Sequence, residues 1–371
     1  MRGRKVLRRW PLAGAALVAM AGCGAASGPA GTSPPAVEAG SPQASGLLAT
    51  GTSPQWVQLS VAPGPLARNS GGFAYDPGSG RLILSGGKHG CGPSATSYTD
   101  TWTLDSTAWQ QQHPKNDGPG EMAGFAMAYD QSSRQVLALG VFSGCGVATG
   151  MFTWTGTDWV QAPQSMTLPH PSFSYTLTYD DAGHQLLAVG STRPVNAAGK
   201  QTEETWAWDG RAWTQLHPAQ SPPPLAGAAA AYDPASRRVI LFGGNGLSDD
   251  GRSEAAVADT WAWDGVTWTH LHPAASPSAR LGAALVTDAT LGRPILFGGV
   301  DRPTDASGAT VLADTWTWVA DTWVQQHPSV SPTPRFFAQA AYDPSRKQVV
   351  LFGGALNGST DSDDVWVYRS H

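Results

Sequence analysis

Between Tyr75 and Gly354 one pattern occurs six times: an apolar run that closes on Tyr-Asp or Thr-Asp, a short polar turn, and a second apolar run that ends near glycine. The copies read YDPGSGRLILSGG from Tyr75, YDQSSRQVLALGV from Tyr129, YDDAGHQLLAVGS from Tyr179, YDPASRRVILFGG from Tyr232, TDATLGRPILFGG from Thr287 and YDPSRKQVVLFGG from Tyr342. Their starts lie 50 to 55 residues apart. A repeat of this length cannot bury its own apolar faces, so the copies must stack on one another, and that requirement constrains the fold more than any other feature of the chain.

After a longer loop each copy continues with a second pair of strands, most clearly in ETWAWDGRAWTQLHP from Glu204 and DTWAWDGVTWTHLHP from Asp259. Four short strands separated by Gly, Pro and Asp turns make one four-stranded unit. The composition agrees: 44 Gly and 29 Pro supply the turns, and all but one of 16 Trp fall in the repeated region, where they fill the space between units. The expected fold is all-β, a six-bladed β-propeller. The last copy stops after the strand around Trp366, whereas an orphan Trp-bearing strand, QWVQL from Gln55, precedes the first. The N-terminal strand is therefore predicted to complete the sixth blade, closing the ring and hiding both edges.

Over residues 55 to 370 the repeats resemble the kelch family. The carriers are the double glycines Gly86-Gly87, Gly243-Gly244, Gly298-Gly299 and Gly353-Gly354, and the aromatic pairs Trp102 with Trp109, Phe152 with Trp159, Trp206 with Trp213, Trp261 with Trp268 and Trp316 with Trp323. Blades 2 and 3 depart from the pattern, with Gly140-Val141 and Gly190-Ser191. The resemblance implies a propeller of a kind used by binding proteins and by a few enzymes, among them copper radical oxidases of the galactose oxidase type. Such an oxidase needs a Tyr–Cys cross-link, a second Tyr and two His around one copper. The available residues are Tyr98, Tyr175, His89 and His170 with Cys91 or Cys145, and their spacing matches no motif of that family. The Asp209-Gly210 and Asp264-Gly265 turns lack the Ser-x-Asp-x-Gly order of a sialidase Asp box and read as hairpin turns needing positive φ.

The N-terminus carries Arg2, Arg4, Lys5, Arg8 and Arg9, then an apolar stretch from Leu12 to Met20 and small residues running into Cys23. That order reads as a signal peptide over residues 1–23, too short in its apolar part to stay as a membrane span. Met20-Ala21-Gly22-Cys23 resembles a lipobox, with Met where Leu is usual, and makes Cys23 the expected lipidation site. Arg8-Arg9 faintly resembles a twin-arginine signal. Residues 24–54, rich in Gly, Ala, Ser and Pro, form the expected tether, with a typical span of roughly 30 Å. The expected location is the extracytoplasmic side of a cell membrane, with the propeller spanning 55–371. A net charge of −5 and no basic run after residue 9 exclude a nucleic-acid footprint.

Antiparallel alternation puts the loops between second and third strands, and between fourth and first, at one end of the ring. That end holds the long segments Lys88–Thr99, Phe142–Gly150, Thr192–Glu203, Asn245–Ala258, Val300–Ala313 and Ala355–Asp363, where binding is expected. Arg68, Arg280 and Arg335 lead into the first strands of three contiguous blades; they suit either an anionic ligand or loop carbonyls. Asp249, Asp250, Glu254, Asp301, Asp305, Asp361 and Asp363 lie in the same loops without calcium-motif spacing, and read as solvated. His113, His217, His272 and His327 recur in His-Pro and would be spread around the ring, so they read as structural rather than as one metal site. Cys91 and Cys145 occupy equivalent loops of adjacent blades and are expected to form a disulfide; a metal site of His89, Cys91, Cys145 and His170 is the alternative. The leading functional expectation is a monomeric binding module for a glycan, peptide or envelope protein. No cofactor is expected, with copper, zinc and calcium left open; a copper oxidase or a purely structural envelope protein is the rival.

Overall fold

The structure, a computed structural model, describes residues 54–61, 63–90, 95–105, 107–116, 118–119, 122–142, 149–163, 166–168, 175–191, 203–247, 254–302 and 308–369. These residues form six four-stranded antiparallel sheets arranged as the blades of a propeller. Blade 1 is Gly72–Asp76, Arg81–Ser85, Thr101–Leu104 and Trp109–Gln112. Blades 2 to 5 follow the same order, and their innermost strands are Met122–Asp130, Thr176–Asp180, Ala229–Asp233 and Ala284–Asp288. The innermost strands contact one another around the axis.

Blade 6 takes Gln339–Asp343, Gln348–Phe352 and Val365–Arg369 from the C-terminus and its outermost strand, Gln55–Leu59, from the N-terminus. Gln58 faces Trp366 and Val57 faces Val367 in that antiparallel pair. The ring is thus closed by a strand from each end of the repeat region, as the orphan QWVQL strand implied.

One end of the ring has only tight turns. In every blade the Asp that closes the first strand is buried and accepts two backbone N–H bonds from its turn: Asp76 from Gly78 and Ser79, Asp233 from Ala235 and Ser236, Asp343 from Ser345 and Arg346, with Asp130, Asp180 and Asp288 alike. An Asp at this place caps its own hairpin, which is why the Tyr-Asp marker recurs. Gly210 and Gly265 have φ of 93° and 98°, the positive values expected of their two-residue turns.

Tryptophans bind blade to blade. The fourth-strand Trp of one blade donates its indole N–H to a third-strand Thr of the preceding blade: Trp159 to Thr101 (2.9 Å), Trp268 to Thr205 (2.9 Å), Trp323 to Thr260 (3.1 Å) and Trp56 to Thr315 (3.0 Å). In blade 3, Trp213 meets Met151 Sδ at 3.4 Å instead. At the closing junction Trp109 packs against Val365, which offers no acceptor, and its buried Nε1 has no partner.

Candidate functional site

The second strands finish and the third strands begin at the end opposite the capped turns. In blades 1, 5 and 6 an arginine side chain fixes the base of the segment between them. Arg280 donates Nε–H to Ser278 O (2.9 Å), Nη1 to Gly298 O (3.0 Å) and Asp314 Oδ1 (2.5 Å), and Nη2 to Ser278 Oγ (2.9 Å) and Asp314 Oδ2 (2.8 Å). Arg335 repeats this arrangement with Thr333, Gly353 and Asp364, and Arg68 binds Leu66 O, Gly86 O and both oxygens of Asp100. The arginine residues are 0 to 1% exposed. All five N–H groups of Arg280 and Arg335 are thereby committed inside the protein. Of the two roles open to the trio, an anionic ligand or loop carbonyls, this geometry favours the second: the side chains pin their own loops.

Each carboxylate also accepts the indole N–H two residues on: Trp102 on Asp100, Trp316 on Asp314 and Trp366 on Asp364, at 2.6 to 2.7 Å. Burial alone would raise these carboxyls. The guanidinium hydrogen bonds and charge outweigh it and hold Asp100, Asp314 and Asp364 below the usual carboxylate range. The arginine backbone reaches the other way: Gly244, Gly299 and Gly354 donate N–H to the carbonyls of Arg280, Arg335 and Arg68 in the next blade. A Cβ on Gly243, Gly298 or Gly353 would lie 2.5 Å from that same carbonyl oxygen, so the double glycine is the socket for the following blade's arginine. Two signals in the string carry these links: each of the three arginines follows a Gly-Gly one blade earlier, and each occurs with an acidic residue two places before Trp in its own blade.

Blades 3 and 4 lack this pin. Leu225 stands at the arginine position of blade 4, and Asp259 is met by His270 Nε2 at 3.3 Å, whose ring stacks on Trp261. In blade 3, Glu204 accepts the Trp206 indole. Beside it, Glu203 accepts hydrogen bonds from the Ser191 hydroxyl (2.6 Å) and Leu225 N–H (3.3 Å). Burial dominates over both bonds and pushes the Glu203 carboxyl up to about 8.

A second polar group joins blades 6 and 1. Asp361, with its carboxylate 1% exposed, accepts Asn69 Nδ2 (2.8 Å), Gly90 N–H (2.7 Å) and His89 Nδ1 (2.9 Å). The corresponding contact between blades 5 and 6 is apolar, with Val311 packed by Phe336 and Val300. His89 keeps a half-exposed ring. Asp361 is therefore a joint between blades rather than a solvated loop acid. Asp301 is held by Thr310 N–H at 2.7 Å. Tyr98 lies under the Arg68 guanidinium, 4.2 Å from ring to carbon, and Tyr175 is buried in blade 3, where burial raises its phenol well above the usual range. Cys23, Cys91, Cys145, His170, Asp249, Asp250 and Asp305 lie outside the described residues. Among the described residues no group of three or more His, Cys, Asp or Glu is placed to hold a metal.

No protein-family model matches the chain, and no curated protein matches it. Solved structures do. One, described as "Structure of YjhT", aligns over 82% of this chain and 95% of its own length with a TM-score of 0.59 at 15% identity. At that identity the likeness establishes the fold, a kelch-like six-bladed propeller.

Proposed function

We propose that this chain is an exported, lipid-anchored binding module that holds a glycan, peptide or envelope protein at the long-loop end of its propeller. The supporting observation is the asymmetry of the ring. One end carries only short turns capped by buried aspartates; at the other end, where the second strands finish and the third strands begin, Arg–Asp–Trp clamps fix the segment bases in blades 1, 5 and 6. Variable segments on a rigid base are the common design of a recognition surface. The order of basic residues, apolar stretch and small residues before Cys23 supports export and anchoring.

Two measurements test this function. Cys23→Ser should move the chain from the membrane to the soluble or secreted fraction; a variant that stays with washed membranes refutes the anchor. The purified chain should capture a saturable partner from a glycan and envelope-protein screen. Replacing residues 248–253 or 303–307 by short Gly-Ser segments should weaken that capture, and unchanged capture by both replacements would refute the assigned face.

A further inference from the structure

At the inner rim of the long-loop end the blades are linked through one residue each. Ser70 N–H donates to Phe337 O (3.0 Å), Phe337 N–H to Gly282 O (2.7 Å) and Gly282 N–H to Gly227 O (2.9 Å). Each residue stands two places before the innermost strand of its blade, so together they edge the mouth of the central channel. All four have positive φ: 55°, 51°, 64° and 71° for Ser70, Phe337, Gly282 and Gly227.

That conformation is natural for Gly227 and Gly282 and unfavourable for a bulky residue. Phe337 nevertheless adopts it, with one part of its ring packed against the buried cluster of Val300, Phe336 and Ala355. A Cβ on Gly282 would lie 2.9 Å from the Phe337 ring, and one on Gly227 would lie 3.6 Å from it, so the ring is laid over the two glycines. It packs edge-on against Phe336 at 5.5 Å and remains partly exposed. A strained aromatic where blades 4 and 5 have glycine and blade 1 has the small Ser70 calls for a functional reason, since strain of this kind gathers at ligand sites.

We propose that Phe337 is the stacking floor of a subsite for a neutral pyranose sugar at the channel mouth. This rests on the assignment of the long-loop end as the binding end. An aromatic face accepts the C–H face of a sugar ring, and glycine at 227 and 282 leaves no side chain to compete for the space beside it. The side-chain polar group on this rim is neutral, the Ser70 hydroxyl, 2.8 Å from Asn69 Oδ1, while the amides of Ser70, Phe337 and Gly282 donate to the neighbouring rim carbonyls. The nearby cations Arg280 and Arg335 have no N–H left for an anion, which favours an uncharged ligand over a uronic acid.

The test titrates the full chain in detergent with methyl glucoside, methyl galactoside, methyl mannoside and N-acetylglucosamine, with glucuronate as the charged control, by saturation-transfer NMR. Phe337→Gly should weaken the bound sugar at least tenfold while leaving the melting temperature equal or higher, because strain is relieved. Phe337→Trp should keep affinity within about threefold. Unchanged affinity in Phe337→Gly overturns the proposal, as does a preference for glucuronate. A Phe337→Gly chain that melts lower and loses binding, together with a Phe337→Trp chain that also loses it, assigns the ring to packing and overturns it too. If sugar binding is lost on replacing residues 248–253 or 303–307 but not in Phe337→Gly, the binding end stands and this subsite falls. A wild-type chain that binds no sugar but captures another partner likewise keeps the binding end and removes the subsite.

Discussion

The indole N–H of Trp56 donates to Thr315 Oγ1 at 3.0 Å, joining residues 259 apart in sequence. Through it the N-terminal strand both completes blade 6 and ties that blade to blade 5. Trp56 is also packed between Phe297 and Tyr368, each with ring centroids 5.1 Å away. Deleting residues through Leu59 should therefore remove a ladder, a buried aromatic and a lock at once, and Trp56→Ala alone should cost roughly 3–5 kcal/mol. Deletion only through Gly51 should leave the melting temperature unchanged. Equal melting of the two truncations would refute closure by this strand.

Val365 occupies the place that Thr fills in four other blades, and it leaves the buried Trp109 indole without an acceptor. Val365→Thr should supply the missing lock and stabilise the closing junction by about 1 kcal/mol. The reverse change at a working lock, Thr260→Val, should cost a similar amount. Chemical denaturation of both variants checks the pair; a Val365→Thr protein less stable than wild type would show that the junction has no room for the bond.

The Arg280–Asp314 clamp is buried on the guanidinium side and bidentate. Arg280→Leu, which leaves Asp314 without its cation, should cost roughly 3–5 kcal/mol. The double variant Arg280→Leu with Asp314→Asn should recover part of that loss, as Leu225 is accommodated in blade 4. Because Asp100, Asp314 and Asp364 are held below the ordinary value, their contribution is complete above about pH 4 and is lost as pH falls through the folded-state value. Melting temperature should drop steeply in that acid range, and less steeply in the double variant. Equal acid slopes for wild type and the double variant would argue against this linkage.

Glu203 has the opposite sign. Its carboxyl is raised to about 8 when folded, so the folded state holds its proton more tightly than the unfolded chain does. Its contribution is present at low pH and falls away as pH climbs from the ordinary glutamate range to about 8. Glu203→Gln keeps an uncharged group beside Ser191 and Leu225 and should flatten the stability profile between about pH 5 and 8, roughly the interval between the two values. A profile unchanged by Glu203→Gln would show that the carboxyl is charged at neutral pH.

The ring and its closure are legible in the chain because they depend on period and on strand type, both of which survive as pattern. Trp56 and Trp366 sit far apart in sequence, yet each carries an incomplete share of one blade, and counting strands is enough to pair them. The Asp–Trp half of each clamp is also written in the repeat, as an acidic residue two places before Trp. Its link to Arg68, Arg280 and Arg335 is harder to see, because the partners lie 29 to 34 residues apart, in the segments that lead into two different strands, and only side-chain direction brings them together. Asp361 looks like a solvated loop acid in the string for a related reason: nothing one-dimensional says that Asn69 and His89 arrive beside it from the first blade. Phe337 gives no local signal; it stands out only once its blade equivalents, Gly227 and Gly282, are aligned and their φ values known.

Cys91 and Cys145 stand at equivalent positions of the first two sequence repeats, and their pairing bears on whether the chain is an enzyme. The export proposed above would favour a disulfide. Such a bond would enclose about 50 residues and, in the chain-entropy model, stabilise by roughly 4 kcal/mol if unstrained. A metal site made from Cys91, Cys145, His89 and His170 would instead keep both sulfurs as thiolates and lose stability to chelators. His89 already gives Nδ1 to Asp361, which leaves Nε2 as its ligating atom. A copper radical site would tie one cysteine to a tyrosine through a thioether and leave the other free. Intact mass after thiol alkylation, before and after reduction, separates the three when combined with elemental analysis. The expected outcome is two alkylated thiols only after reduction and no stoichiometric metal. Thiols that react without reductant, or one equivalent of zinc or copper, would reject the disulfide and return catalysis to the foreground.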